Sequence, residues 1–106
     1  MANSFKNAKI DLTTTNATVL YTCPNATTAV FKSILASEDS GNADTITATL
    51  TSGSSVFSLF KVKAVSANAT VELLTAPLVV QENEIIKVTA ATANRLHVVA
   101  SLLEVS

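Results

Sequence analysis

His97 is the one histidine of the chain, with Arg95 and Glu104 close to it in sequence. An imidazole beside a carboxylate is the commonest general base, so catalysis is sought here first. On an extended strand Arg95, His97, Val99, Ser101 and Leu103 share a face while Glu104 points to the other, and the acid nearest in sequence is out of reach. A histidine–carboxylate pair would have to recruit Asp11, Asp39, Asp44 or a glutamate from elsewhere, and nothing in their spacing announces it. A lone strand histidine of this kind reads as structural or as part of an interface. Glu38, Asp39 and Asp44 around Ser40, Gly41 and Asn42 offer the oxygen chemistry that Ca²⁺ prefers, but they miss the EF-hand spacing and suit a solvated loop equally well. Cys23 stands alone, closes no internal disulfide, completes no metal set and reads as a small buried hydrophobe. Asn16-Ala17-Thr18, Asn25-Ala26-Thr27 and Asn68-Ala69-Thr70 have the form of glycosylation sites, which a chain rich in Asn and Thr produces by chance. Phosphate-cradling glycine loops, nucleophile elbows and CxxC pairs are missing. The expectation is a protein that is not an enzyme and uses no cofactor or metal.

The composition points the same way. A length of 106 residues fits one domain with one core. Apolar residues make up 48% and charged residues 14%, well under the roughly 25% charged of ordinary soluble proteins. Ala, Thr, Ser and Val fill the difference and give a hydroxyl-rich surface that suits contact with other protein. Lys6, Lys9, Lys32, Lys61, Lys63, Lys87 and Arg95 are scattered and the net charge is −1, so no nucleic-acid partner is expected. No stretch approaches the roughly 20 apolar residues of a membrane helix, and no membrane partner is expected. Met1 to Lys9 lacks the apolar run of a signal peptide, from which we expect a protein made in a cytoplasm or assembled there into something larger.

The elements that would position these residues are strands. Val19, Tyr21 and Cys23 alternate on one side of a segment that Pro24 ends. From Thr28 to Ser37, Val30, Ile34 and Ala36 are set against Phe31 and Leu35. Thr45, Thr47, Thr49 and Thr51 alternate strictly with Ile46, Ala48 and Leu50, the plainest strand signal in the chain. Ser52-Gly53-Ser54 suits a hairpin leading into Val56 to Lys63, with Phe57, Leu59 and Lys61 on one side and Val56, Phe60 and Val62 on the other. Thr70 to Leu74 and Leu78 to Val80 form two short strands. Val65 to Leu74 could be drawn on a helical wheel, but its three β-branched residues and the following Pro77 favour extended chain. Glu84 to Ala90 and Leu96 to Val105 alternate as well and are expected to pair as a closing hairpin. The second of them is apolar on both faces, which predicts that its outer side is partly covered. Most of Phe5, Tyr21, Phe31, Phe57 and Phe60 fall at core-like positions. The fold class expected is all-β: a single-domain antiparallel β-sandwich, jelly-roll-like, of about eight short strands, with residues 1–12 an N-terminal arm or edge strand and 13–106 the sandwich.

Several segments together carry a resemblance: Thr18-Val19-Leu20-Tyr21-Thr22-Cys23-Pro24, Thr28 to Ile34, Glu72-Leu73-Leu74 ahead of Pro77-Leu78-Val79-Val80, Glu84 to Ala90, and Ser101-Leu102-Leu103-Glu104-Val105. From Thr18 onward the chain resembles the small β-sandwich virion proteins of tailed bacteriophages. Those proteins tend to carry a glycine two residues after the proline and Gly-Asp before the penultimate strand, where this chain has Ala26 and Asn83-Glu84. The turn types are the point in question, since alanine tolerates positive φ poorly and asparagine accepts it. The resemblance implies a non-enzymatic structural protein present in many copies, foremost a head-decoration or cement-like protein stabilising the assembled shell. The alternatives are a neck, tail or fibre component, or a carbohydrate- or receptor-binding module, against which the lack of Trp counts. Expected partners are the major capsid protein or other virion proteins and further copies of the chain as a homo-oligomer. The expected location is the virion, assembled in the host cytoplasm. Candidate protein contacts are Asn3, Phe5 and Lys6 on the arm from Ala2 to Lys9, and the face of Thr45, Thr47, Thr49 and Thr51.

Overall fold

The computed structural model describes residues 3–106, so Met1 and Ala2, where the expected arm begins, lie outside the described residues. The alternating segments become β1 (Asn3–Asp11), β2 (Thr18–Thr22), β3 (Thr28–Glu38), β4 (Asp44–Ser52), β5 (Ser55–Val65), β6 (Thr70–Glu72), β7 (Leu78–Val80), β8 (Ile85–Ala90) and β9 (Leu96–Val105). One sheet runs β1-β9-β3-β6 with β7 also on β3, and the other runs β2-β8-β4-β5. Every pairing is antiparallel. This is the strand order of an eight-stranded jelly roll whose sixth strand is split into β6 and β7. β6 lies on Leu35–Ser37 and β7 on Ala29–Phe31. Between them stands Pro77, which has no N–H to give the ladder.

β8 and β9 are strands as expected, but they are not a hairpin. β8 pairs with β2 and β4, β9 pairs with β1 and β3, and residues 91–95 cross from one sheet to the other. The crossing is anchored by Ala91 N–H to the Thr45 carbonyl at 3.2 Å and Asn94 N–H to the Leu12 carbonyl at 2.9 Å, with Asn94 at φ 66. The hairpin between β4 and β5 does form. Gly53 at φ 60 takes the first turn position, where a type II′ turn requires glycine.

The core lies between the sheets and is built from Leu12, Phe31, Ile34, Ile46, Leu73, Ile86, Leu96 and Leu102, all essentially inaccessible. Burying each contributes about 1.5–3 kcal/mol. The Tyr21 ring meets Phe31 edge-on, with centroids 5.1 Å apart.

Four irregularities in the ladders reassign faces that strict alternation would place otherwise. On β2 the register slips between Val19 and Tyr21, so Leu20 and Tyr21 both turn toward the core and Val19 is left outside. On β3 the slip between Phe31 and Ser33 makes Lys32 the extra residue and puts Phe31 on the inner face with Ile34 and Ala36, leaving Val30 opposite Leu103 on the outer side. Two slips on the β4–β5 ladder set Phe60 opposite Ala48 and Phe57 opposite Leu50, so both rings belong to one face and not to opposite ones. The outer side of β9 is partly covered, as expected, with Leu103 and Val105 half-buried, while Val99 is 41% exposed.

Candidate functional site

The β1–β9–β3 register places Asp11, His97 and Ser37 side by side in one row across three strands, with Thr70 of β6 next in line. His97 Nε2 lies 3.2 Å from Asp11 Oδ1, and Nδ1 lies 3.4 Å from Asp39 Oδ2, just past the end of β3. Two of the three aspartates that the sequence left open as partners, Asp11 and Asp39, therefore meet the imidazole, and Glu104 is on the opposite face of β9. A shallow depression of about 420 Å³, lined by Lys9, Ile10, Asp11, His97, Val98 and Val99, borders the ring.

Asp, His and Ser in a row are the ingredients of a nucleophilic relay, but the bonds are not those of one. A relay needs one imidazole nitrogen on the carboxylate and the other on the nucleophile. Here both nitrogens face carboxylates, and the Ser37 hydroxyl is 3.0 Å from Thr70 Oγ1. The two aspartates sit on different ring nitrogens, so a single ion could not take both of them together with the imidazole. Among the described residues no group of three or more His, Cys, Asp or Glu side chains converges as a metal site. The arrangement is a clamp: His97 joins the end of β1 to the loop after β3.

The loop carboxylates considered for Ca²⁺ diverge. Glu38 is buried and turns inward to accept bonds from Ser40 N–H (2.7 Å), the Ser40 hydroxyl, Gly41 N–H (3.0 Å) and Asn68 N–H (3.0 Å). Burial raises its pKa, but the Ser40 hydroxyl and the three backbone donors outweigh that and bring it down to about 2. Asp44 accepts from Thr92 N–H at 3.1 Å, and Asp39 faces His97. Each acid braces a loop.

A second polar group fastens one sheet to the other. The Tyr21 hydroxyl of β2 donates to Glu104 Oε2 of β9 at 2.5 Å, and Lys6 of β1 is 2.8 Å from Glu104 Oε1. The bonds from Lys6 and Tyr21 hold the Glu104 carboxyl below its ordinary range, while burial and then the bond to Glu104 push the Tyr21 hydroxyl well above the phenol range. Lys6, a candidate contact, is thus tied into the fold. Asn3 and Phe5 are exposed, and Phe5 is 80% accessible.

Thr45, Thr47, Thr49 and Thr51 are half-buried between β5 and β8. Thr47 Oγ1 accepts the N–H of Val62 at 3.0 Å, and Thr51 Oγ1 is buried without a partner among the described residues. The larger exposed apolar groups lie elsewhere. Phe57 is on the inward face opposite Leu50 yet 55% exposed, and its neighbour Val56 is 64% exposed. At the tip of the β4–β5 hairpin the opposing sheet does not cover that corner. The signal in the sequence was their position directly after Gly53-Ser54-Ser55, one step from a chain reversal.

No family model matches this chain, and no curated protein matches it. Among solved structures the fold is similar to a protein of the Bacillus endospore appendages, described as a novel family of disulfide-linked pili, with a TM-score of 0.53 at 14% identity over 96% of this chain and 85% of that one. At that identity the likeness concerns the fold alone: an all-β domain of two antiparallel sheets.

Proposed function

We propose that the chain is a non-enzymatic structural protein of a bacteriophage virion, a head-decoration or cement-like protein that binds the assembled shell. The observation that carries the assembly role is the hairpin tip, where Val56 is 64% and Phe57 55% exposed. Val56, opposite Thr51, and Phe57, opposite Leu50, lie on the two sides of the tip, so a socket that takes the tip between its walls would bury both. The polar groups that could do chemistry are instead engaged within the fold: His97 with two aspartates, Glu38 with backbone donors, Tyr21 with Glu104. The bacteriophage assignment rests on the sequence resemblance. Binding that engages the lattice and not free capsid subunits would stabilise the shell by mass action.

The pilus likeness suggests another kind of polymer, but its covalent linkage does not transfer. Cys23 is fully buried, with Sγ 3.3 Å from the Thr27 carbonyl, and no other cysteine exists in the chain. A sugar-binding module is disfavoured because Tyr21 spends its hydroxyl on Glu104 and its ring on Phe31.

Quantitative mass spectrometry of purified particles tests the assignment. Hundreds of copies per virion are expected. About a dozen would move the protein to the neck, and a few to the fibres. Val56→Ser with Phe57→Ser should abolish binding to assembled shells while the circular dichroism spectrum is kept. Undiminished binding by that variant would refute the hairpin as the docking element.

A further inference from the structure

The outer face of the β1-β9-β3-β6/β7 sheet carries a pattern that matches itself. Across the strands, one row is Phe5, Leu103, Val30 and Val79, all apolar. Further along, a second row is Lys9, Val99, Leu35 and Glu72, and a third is Asp11, His97, Ser37 and Thr70. Phe5, Val79, Val99 and Leu35 are all exposed. Lys9 forms no ion pair among the described residues and donates to Asn7 Oδ1 at 3.1 Å.

We propose that this face is a self-association surface, on which two copies pack face to face about a two-fold axis lying parallel to the strands between β9 and β3. Such an axis reverses the strand order within each row and keeps the row. Phe5 then faces Val79 of the second copy, Leu103 faces Val30, Val99 faces Leu35, and Lys9 faces Glu72, each contact made twice. Asp11 meets Thr70 and His97 meets Ser37, so no like charges oppose one another. An axis across the strands would instead put Phe5 over Asp11, burying a carboxylate against a ring. The row pattern selects the first arrangement.

Aligned sheets pack about 10 Å apart; Glu72 is held on its own sheet by the Ser33 hydroxyl, Ile34 N–H (2.8 Å) and Leu74 N–H (3.1 Å), so the long Lys9 side chain is the one that crosses the gap to this fixed anion. Four strands of about 4.8 Å spacing by ten residues of about 3.3 Å give a footprint of roughly 600 Å² per copy. The total of roughly 1,200 Å² lies at the lower bound for specific interfaces, which fits a dimer that forms at micromolar concentration and is reinforced inside a larger assembly. The inference deepens the assembly role proposed above and rests on it for its biological meaning, though not for its geometry.

Sedimentation of the purified chain from low micromolar to several hundred micromolar tests it, with a reversible monomer–dimer equilibrium expected. Val99→Glu should weaken that equilibrium at least tenfold without altering the circular dichroism spectrum. Phe5→Cys combined with Val79→Cys should yield a covalent dimer on oxidation. Within one chain these positions are three strand spacings apart, about 14 Å, beyond the roughly 7 Å limit for a disulfide, and Cys23 is buried. If Val99→Glu unfolds, the cysteine pair still decides. A chain that stays monomeric throughout, or a dimer that yields no Phe5→Cys/Val79→Cys cross-link, overturns the proposal. Because shell binding is read separately through Val56 and Phe57, a monomer that still decorates particles refutes the dimer alone, and a dimer that never binds them refutes the decoration role alone.

Discussion

Ala26→Gly should make the domain more stable. Ala26 holds φ 56 in the exposed turn between β2 and β3, a left-handed backbone that costs a non-glycine residue about 1–2 kcal/mol. The turn is held regardless of that cost. Ala26 N–H donates to Glu82 Oε2 at 2.8 Å, and Cys23 exchanges backbone bonds of 2.9 Å with Asn83 and Glu84. Glycine removes the steric cost and gives back about 0.5–1 kcal/mol through the greater freedom of its unfolded chain, leaving a net gain of about 0.5–1 kcal/mol. At about 2.1 cal/mol/K of unfolding entropy per residue, a chain of 106 residues should gain about 2–5 °C in Tm. Calorimetry and urea titration at neutral pH measure both quantities. Asn83→Ala is the mirror control, because Asn83 at φ 66 already suits its conformation and alanine should lower Tm. A lower Tm for Ala26→Gly, or shifts of the same sign in both variants, would show that backbone conformation does not govern these turns.

Three further outcomes follow from particular groups. The folded pKa of Glu38, about 2, lies below its ordinary 4.5, so the unfolded chain takes up the proton first; its stabilisation should be whole above pH 4.5 and vanish as pH falls toward 2. Glu38→Gln should flatten that part of the urea-midpoint profile against pH, and a profile as steep as that of the parent protein would refute the assignment. Tyr21→Phe should cost about 1.5 kcal/mol in urea unfolding, the low end for a bond to a charged acceptor, because Glu104 keeps Lys6 at 2.8 Å. Val62, β-branched at φ 53 and mostly exposed, should gain about 1 kcal/mol on replacement by glycine, with a loss in thermal unfolding counting against it.

What the sequence made legible was decided by how far each signal reaches along the chain. The strict Thr45–Thr51 alternation, the Ser52-Gly53-Ser54 reversal and the stop at Pro24 are local, and the structure has a strand, a hairpin turn and a strand end at those places. Faces beyond a bulge were not legible. One extra residue inverts the parity of everything that follows it, and nothing in the composition around Leu20, Lys32 or Leu59 marks them as bulge positions. The closing hairpin was misread for a related reason: β8 and β9 alternate well, but alternation is silent on which sheet a strand joins. The Asp11–His97–Asp39 clamp depends on the β1–β9 register between segments at opposite ends of the chain, so neighbours in sequence gave no hint of it.

The irregular ladders also bear on how the molecule would associate. β5 is an edge strand of eleven residues, long enough to recruit a foreign strand, yet the left-handed backbone at Val62 breaks its line and Thr47 takes the Val62 N–H. A bulge of this kind blunts edge-to-edge pairing. On β1 at the other sheet's edge, exposed Lys9, which forms no ion pair among the described residues, opposes the approach of another lysine-bearing edge, including the same edge of a second copy. With both long edges guarded, the apolar surface left to a partner lies on a sheet face and at a hairpin tip. That is the physical reason for assigning shell docking to Phe57 and self-association to the row that begins at Phe5, and not to strand exchange.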